Sequence, residues 1–147
     1  MLLAFPKIAG AIPFGIVNCI ASSIKKALQH IHSRGLCFAD VKPSNILLGE
    51  GRAILCDLAA VVKMDDRIIE STQGYALDYP NTDFGNPKLD WVCLGATICQ
   101  LLLLNVNISD HTSRVSLLQK LHSFAEVHDH AEFKPAVTIA LNCLSIT

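Results

Sequence analysis

Between Pro13 and about His32, apolar side chains recur at Phe14, Val17, Ala21, Ile24, Leu28 and Ile31, at steps of three, four, three, four and three. That spacing returns to one side of an α-helix at every turn and predicts an amphipathic helix with a single buried stripe. Ser22, Lys25, Lys26 and Gln29 fall on the opposite, solvated face. Pro13 suits the first helical turn, and Gly35 suits a stop just after His32 and Arg34.

The pattern then changes. Two short apolar runs, 45–49 and 51–56, flank the glycine-bracketed turn at Gly49, Glu50 and Gly51, which predicts a β-hairpin. Residues 58 to about 89 hold Met64, Asp65, Asp66, Arg67, Ser71, Thr72, Gly74, Asp78, Pro80, Asn81, Gly85 and Pro87 with no lasting period. A long segment of that kind is predicted to be irregular and on the surface. Asp90 to about Leu104 is apolar nearly all round and predicts a buried helix. A weaker helix is predicted from Ser113 to about Val127 on Val115, Leu118, Leu121 and Phe124 or Ala125, and a last one from Ala131 to about Leu144. No repeat, linker or low-complexity stretch divides the chain. The expected class is one domain of α+β type, mostly α, with small β-hairpins.

Composition sharpens this picture. Hydrophobic residues make up 51% and charged residues 17%, against roughly 25% charged in average soluble domains. Such a chain belongs to half of something larger, or turns an apolar face to a partner or a membrane. Residues 92–108 are almost uncharged, but 17 positions holding Gln100, Asn105 and Asn107 fall short of the ~20 needed to span a bilayer. The apolar opening lacks a basic start and is broken by Pro6 and Pro13, unlike a signal peptide. A net charge of −1 gives no basic field for nucleic acid. The six cysteines, Cys19, Cys37, Cys56, Cys93, Cys99 and Cys143, stand singly among apolar neighbours without any C-x-x-C pair. They read as small buried hydrophobes in a reducing, intracellular compartment, the cytoplasm. His30-x-His32 and His128-x-His130 lack accompanying ligands, and i, i+2 positions on a helix face apart, so these histidines read as structural or solvated. Asn107-Ile108-Ser109 fits a glycosylation acceptor, which matters only in a secreted protein.

The candidate chemistry lies on Asp40-Val41-Lys42-Pro43-Ser44-Asn45. An aspartate two positions before a lysine and five before an asparagine can place a proton acceptor, a cation for a phosphate and an amide oxygen for a metal on one loop. The hairpin would return Asp57 to Asn45, adding a hard carboxylate ligand suited to Mg²⁺. The competing reading makes Asp40, Lys42 and Asn45 turn residues with local hydrogen bonds, and Asp57 a strand-end turn residue. Asp90, apolar on both sides at a helix start, reads as a cap that ties the helix to this loop.

These landmarks resemble the protein kinase superfamily, serine/threonine type. Leu28-Gln29-His30-Ile31-His32-Ser33-Arg34-Gly35-Leu36 is similar to the helix end before a kinase catalytic loop. Residues 38–48, from Phe38 to Leu48, resemble the loop itself, normally His-Arg-Asp-Leu-Lys-Pro-x-Asn-Ile-Leu-Leu. Asp57-Leu58-Ala59 stands in the place of Asp-Phe-Gly, and Asp90-Trp91-Val92-Cys93-Leu94-Gly95 resembles the start of the central helix, 90–104. Four landmarks in the right order are far more specific than any one. The resemblance implies a kinase-like C-terminal lobe with an activation segment over 57–81. It implies Asp40 as the base for a substrate hydroxyl, Lys42 at the transferring phosphate, and Asn45 and Asp57 on Mg²⁺, with ATP as cosubstrate. Thr72, in Thr72-Gln73-Gly74-Tyr75, is implied to face the protein substrate and bond to Asp40 and Lys42.

The departures from the family pattern carry expectations too. Phe38 and Ala39 replace histidine and arginine, and alanine cannot grip a phosphate, so control through Ser71 or Thr72 is not expected. Ala59 for glycine disfavours a positive φ. Tyr79-Pro80-Asn81 lacks the glutamate that pairs with a late arginine, and that arginine is also absent. Nothing before Pro13 resembles a glycine-rich loop or a strand lysine, and Lys7 sits in no such context, so the N-terminal lobe is expected to be absent. Either that lobe or a partner protein would cover the apolar face. Two functions follow as alternatives: a kinase-type phosphotransferase with little activity in these 147 residues alone, or a non-catalytic, pseudokinase-type binding or regulatory module.

Overall fold

The computed structural model describes residues 12–72, 74–80, 82–103, 106–128 and 131–147. The apolar opening with Pro6 and Lys7, together with Gln73, Asn81, Leu104, Asn105 and His130, lies outside these residues. Helix α1, Phe14–His32, buries Val17, Ile20, Ala21, Ile24 and Leu28. The stripe is the predicted one widened by Ile20, with Phe14 and Ile31 half-buried at its ends. Pro13 is not in the first turn but caps it, with ψ at 131°. Gly35, at φ +70°, ends the turn after the helix, a conformation that costs a residue with a Cβ.

The predicted hairpin forms from β2, Ile46–Gly49, and β3, Arg52–Leu55, in the register Ile46↔Leu55 to Gly49↔Arg52. Its two turn residues, Glu50 and Gly51, both have positive φ, 49° and 74°, as a type I′ connection requires. A second, two-residue pair joins β1, Leu36–Cys37, to β4, Val62–Lys63. This pairing sets the chain leaving Asp57 beside the chain entering the Asp40 loop. The segment predicted to be irregular is so for most of its length, interrupted by a 3₁₀ turn at Leu58–Ala60, by β4 and by an Arg67↔Phe84 bridge.

Helix α2, Pro87–Leu102, is buried on nearly all sides, as its apolar composition predicts. It begins before Asp90 because Asn86 is the actual cap, its side chain accepting from Lys88 N at 2.9 Å, with Pro87 in the first turn. Asp90 therefore sits inside the helix. Gly95 lets α4, Lys134–Leu144, approach closely: a Cβ there would lie 2.8 Å from Leu144 Cγ. Pro135 in the first turn of α4 accounts for a start later than Ala131. Helix α3, Arg114–Val127, is capped by Ser113 and buries Leu117 and Leu121. The predicted face was rotated: Val115 is 60% exposed and Leu117 takes its place in the core. Helix α2 packs against α1, α3 and α4, so the core lies between four helices and the hairpin rests on α1. No described helix is long and apolar enough to cross a membrane.

Candidate active site

The Asp40 loop leaves β1 and is pinned from below by α2. Asp90, with no exposed surface, accepts from Phe38 N at 2.8 Å, from Ala39 N at 2.7 Å and from His32 Nε2 at 2.8 Å. Thr97 Oγ1 adds a bond to Val41 O at 3.4 Å. A buried carboxylate is tolerable only with such a set of donors. With these anchors Ala39 is held at φ +64°, a conformation that L side chains rarely adopt, and the next residue, Asp40, turns toward the cleft. The predicted tie between Asp90 and the loop is present, although Asp90 is not the cap. His32, read from sequence as structural or solvated, is structural: it bonds Asp90 and packs edge-on against Trp91 with centroids 5.1 Å apart. A histidine closing the last turn of an amphipathic helix, with a buried aspartate elsewhere in need of a donor, is the signal that could have paired them.

Above this base, Asp40 gathers three groups. Lys42 Nζ lies 2.7 Å from Asp40 Oδ2, Asn45 Nδ2 donates to the same oxygen at 2.9 Å, and Thr72 N donates to Asp40 Oδ1 at 2.9 Å. Lys42 also donates to Thr72 Oγ1, and Asn45 Nδ2 to Asp40 O at 2.9 Å. Burial pushes the Asp40 carboxyl up, but the hydrogen bonds from Lys42 and Thr72 outweigh it and hold the group below the usual carboxylate range. Asp40 is thus an ionised, oriented acceptor at neutral pH. The bonds of Asn45 use its amide nitrogen and leave its carbonyl oxygen as the uncommitted atom of a buried side chain.

The hairpin returns the backbone to the end of the Asp40 loop. Cys56 N donates to Asn45 O at 2.9 Å, which places Asp57 one residue past that bond, beside Asn45. Asp57 is exposed, and among the described residues its carboxylate accepts only a long bond from Ala59 N at 3.5 Å. The positive φ in this stretch falls on Asp57 itself, at 61°, and Ala59 lies within the 3₁₀ turn, so the alanine meets no strain there. Among the described residues no three His, Cys, Asp or Glu side chains converge. A divalent cation held here would have one amide oxygen from Asn45 and one carboxylate oxygen from Asp57, a sparse set compatible with Mg²⁺, which keeps several waters.

The irregular segment that follows Asp57 is held near Asp78 by a pair that sequence reading missed. Asp78 Oδ1 accepts from both Arg114 N and Arg114 Nε at 3.1 Å, and the guanidinium lies 5.5 Å from the centre of the Tyr79 ring. Burial pushes the Asp78 carboxyl up, but the bonds from Arg114 together outweigh it and lower the group. This contact lies beside Tyr79, in the stretch Tyr79-Pro80-Asn81 where the sequence has no glutamate. An aspartate just before Tyr79-Pro80 and an arginine at a helix start were the available signs.

A family model for the protein kinase domain matches residues 7–146. The chain is 48% identical over 48 residues to the serine/threonine-protein kinase RUNKEL of Arabidopsis thaliana, covering 32% of this chain and 4% of that protein. It is 31% identical over 111 residues to the serine/threonine-protein kinase ArnS of Sulfolobus acidocaldarius, covering 60% and 18%. It is 27% identical over 119 residues to a rhodopsin kinase of Danio rerio, covering 77% and 21%. The chain thus spans about a fifth of the length of two of these relatives and far less of the third. Taken with the four helices, the paired short strands and the Asp40 loop, the match over nearly the whole sequence means that this chain belongs to the protein kinase family.

Proposed function

We propose that these residues form the catalytic lower half of a serine/threonine protein kinase site, which transfers the γ-phosphoryl group of ATP to a hydroxyl of a protein substrate. The observation that carries this reading is the convergence of Lys42, Asn45 and Thr72 on the Asp40 carboxylate. Asp40 would orient the substrate hydroxyl and accept its proton, and its lowered pKa makes it a positioning base more than a strong one. Lys42, held between Asp40 and Thr72, would shift to the transferring phosphate. Asn45 and Asp57 would hold Mg²⁺, which supplies charge neutralisation at the phosphates. Positioned proton transfer is worth roughly 10²- to 10⁴-fold, so the phosphate and metal contacts must supply more than the base does.

Turnover needs the other half of a nucleotide cleft, from a small lobe or a partner. Little or none is expected of these residues alone. Leu58, immediately after Asp57, is 67% exposed and Ile54 is 46% exposed on the hairpin, so an apolar face beside the metal residues awaits a cover. That exposure, with Ala39 in place of a phosphate-gripping arginine, favours a second reading: a pseudokinase-type module whose lobe face docks a protein partner. The free cysteines, four of them buried, suit an intracellular, cytoplasmic setting. A thermal shift with Mg·ATP separates the two readings. Ligand at 100 times its Kd adds about 2.7 kcal/mol, or about 5–10 °C for a domain of this size. The kinase-site reading expects that shift in the parent chain and its loss in Asp57→Asn. No shift, or a shift unchanged by Asp57→Asn, would leave the docking module as the function.

A further inference from the structure

A cavity of about 170 Å³ lies where the outer face of α1 meets the start of α2 and the end of α4, and it shares no residue with the Asp40 site. Its apolar wall is made by the Trp91 ring, Ile139 and Ile146. Trp91 is fixed there by His32, whose ring packs edge-on at 5.1 Å. Cys143 completes the wall, and burial pushes its thiol up to about 12, so it brings no charge. The polar lining is Lys25, Gln29 and Asn142. Lys25 and Gln29 stand four apart on α1 and so share one side of it. Among the described residues Lys25 has no acidic partner, and neither amide side chain nor the Trp91 indole N–H has a hydrogen bond. No carboxylate lines the cavity. A protonated lysine and two uncommitted amides thus rim an apolar hollow, and the positive charge there is unanswered.

These walls define a ligand. A single lysine balances one negative charge, whereas a phosphate dianion calls for an arginine fork or several cations. An apolar cavity of about 150 Å³ already accepts benzene, so this one holds a single ring with a short arm. The Trp91 ring offers an aromatic pair that an alkyl body would forgo. We propose that the cavity is a binding site for a small aromatic monocarboxylate, its ring against Trp91 and its carboxylate at Lys25, with Gln29 and Asn142 donating to the same group. The assignment stands apart from the kinase-site reading, because no residue of the Asp40 loop takes part.

The test titrates the 147-residue chain with phenylpropionate at about pH 7, where lysine is charged and the acid ionised, and reads the indole N–H signal of Trp91, the single tryptophan, by NMR. A ligand of this size is expected to saturate with a Kd of about 5 mM or lower. Phenylpropionamide, uncharged and of the same shape, is expected to bind about fivefold more weakly, the worth of one exposed ion pair. Lys25→Gln should remove that difference and leave amide binding unchanged, which serves as the folding control, and Lys25→Arg should restore it. Nuclear Overhauser contacts from the ligand ring should reach Trp91 and Ile139. Equal binding of acid and amide, an acid preference that survives Lys25→Gln, ring contacts centred elsewhere, or no saturable shift of the Trp91 signal overturns the proposal.

Discussion

Replacing Asp90 with alanine removes the one group that fixes the backbone of Phe38 and Ala39. The carboxylate accepts two backbone N–H bonds at 2.8 and 2.7 Å and the His32 bond at 2.8 Å, all in a site without solvent access to Asp90. Each buried donor left without an acceptor costs about 1–3 kcal/mol, so the two N–H groups together lose roughly 2–6 kcal/mol. Against this stands the relief of no longer burying a carboxylate, which brings the expected loss to about 3 kcal/mol. Ala39 then loses what holds it at φ +64°, and the Asp40 carboxylate should drift from Thr72. Urea unfolding followed by the fluorescence of Trp91, the single tryptophan, reads both effects because that ring packs on His32. The expected result is a midpoint shift equivalent to about 3 kcal/mol at unchanged slope. Exposed Asp83→Asn, as control, should stay within about 0.5 kcal/mol. A loss below about 1 kcal/mol for Asp90→Ala would refute the anchoring role.

Three further outcomes follow from the same structure. Gly95→Ala gains about 1 kcal/mol of helix propensity, but its methyl would press on Leu144 Cγ at 2.8 Å, and overpacking at about 1–3 kcal/mol should win, giving net destabilisation by thermal melting. Glu50→Asn should raise stability by about 0.5 kcal/mol, since asparagine tolerates the positive φ of this exposed turn, and a lower melting temperature would contradict the type I′ assignment. Because the folded pKa of Asp40 is lowered, its contribution is fully present above the unfolded value near 3.9 and is lost as pH falls through the folded value. The acid side of the stability profile, measured by urea titration below about pH 5, should therefore be shallower in Asp40→Asn than in the parent.

The helices and the hairpin were legible because their signals are local. The three- and four-residue steps of α1, the Gly-bracketed turn and the all-apolar run of α2 need only neighbours in sequence. The rotated face of α3 was not legible, since Val115 and Leu117 are both apolar and only the position of α4 and α2 chooses between them. The clustering of Lys42 and Asn45 on Asp40 could be read because the three stand within six residues of one another. Contacts over long separations left only faint signs and were missed: His32 with Asp90, 58 residues apart, and Asp78 with Arg114, 36 apart. The cap of α2 was misplaced because Asn86 and Asp90 are both capping residue types, and burial, which sequence does not print, decided between them.

The central claim, that Asn45 and Asp57 form one oxygen site for a phosphate-bound divalent cation, is tested most directly by paramagnetic broadening of backbone amide signals with Mn²⁺·ATP in place of Mg²⁺·ATP. The predicted result is selective loss of the Asn45, Ile46, Cys56 and Asp57 signals, sparing those of α3 and α4, with broadening abolished in Asp57→Asn. Uniform broadening, broadening centred elsewhere, or the same pattern in Asp57→Asn would contradict it.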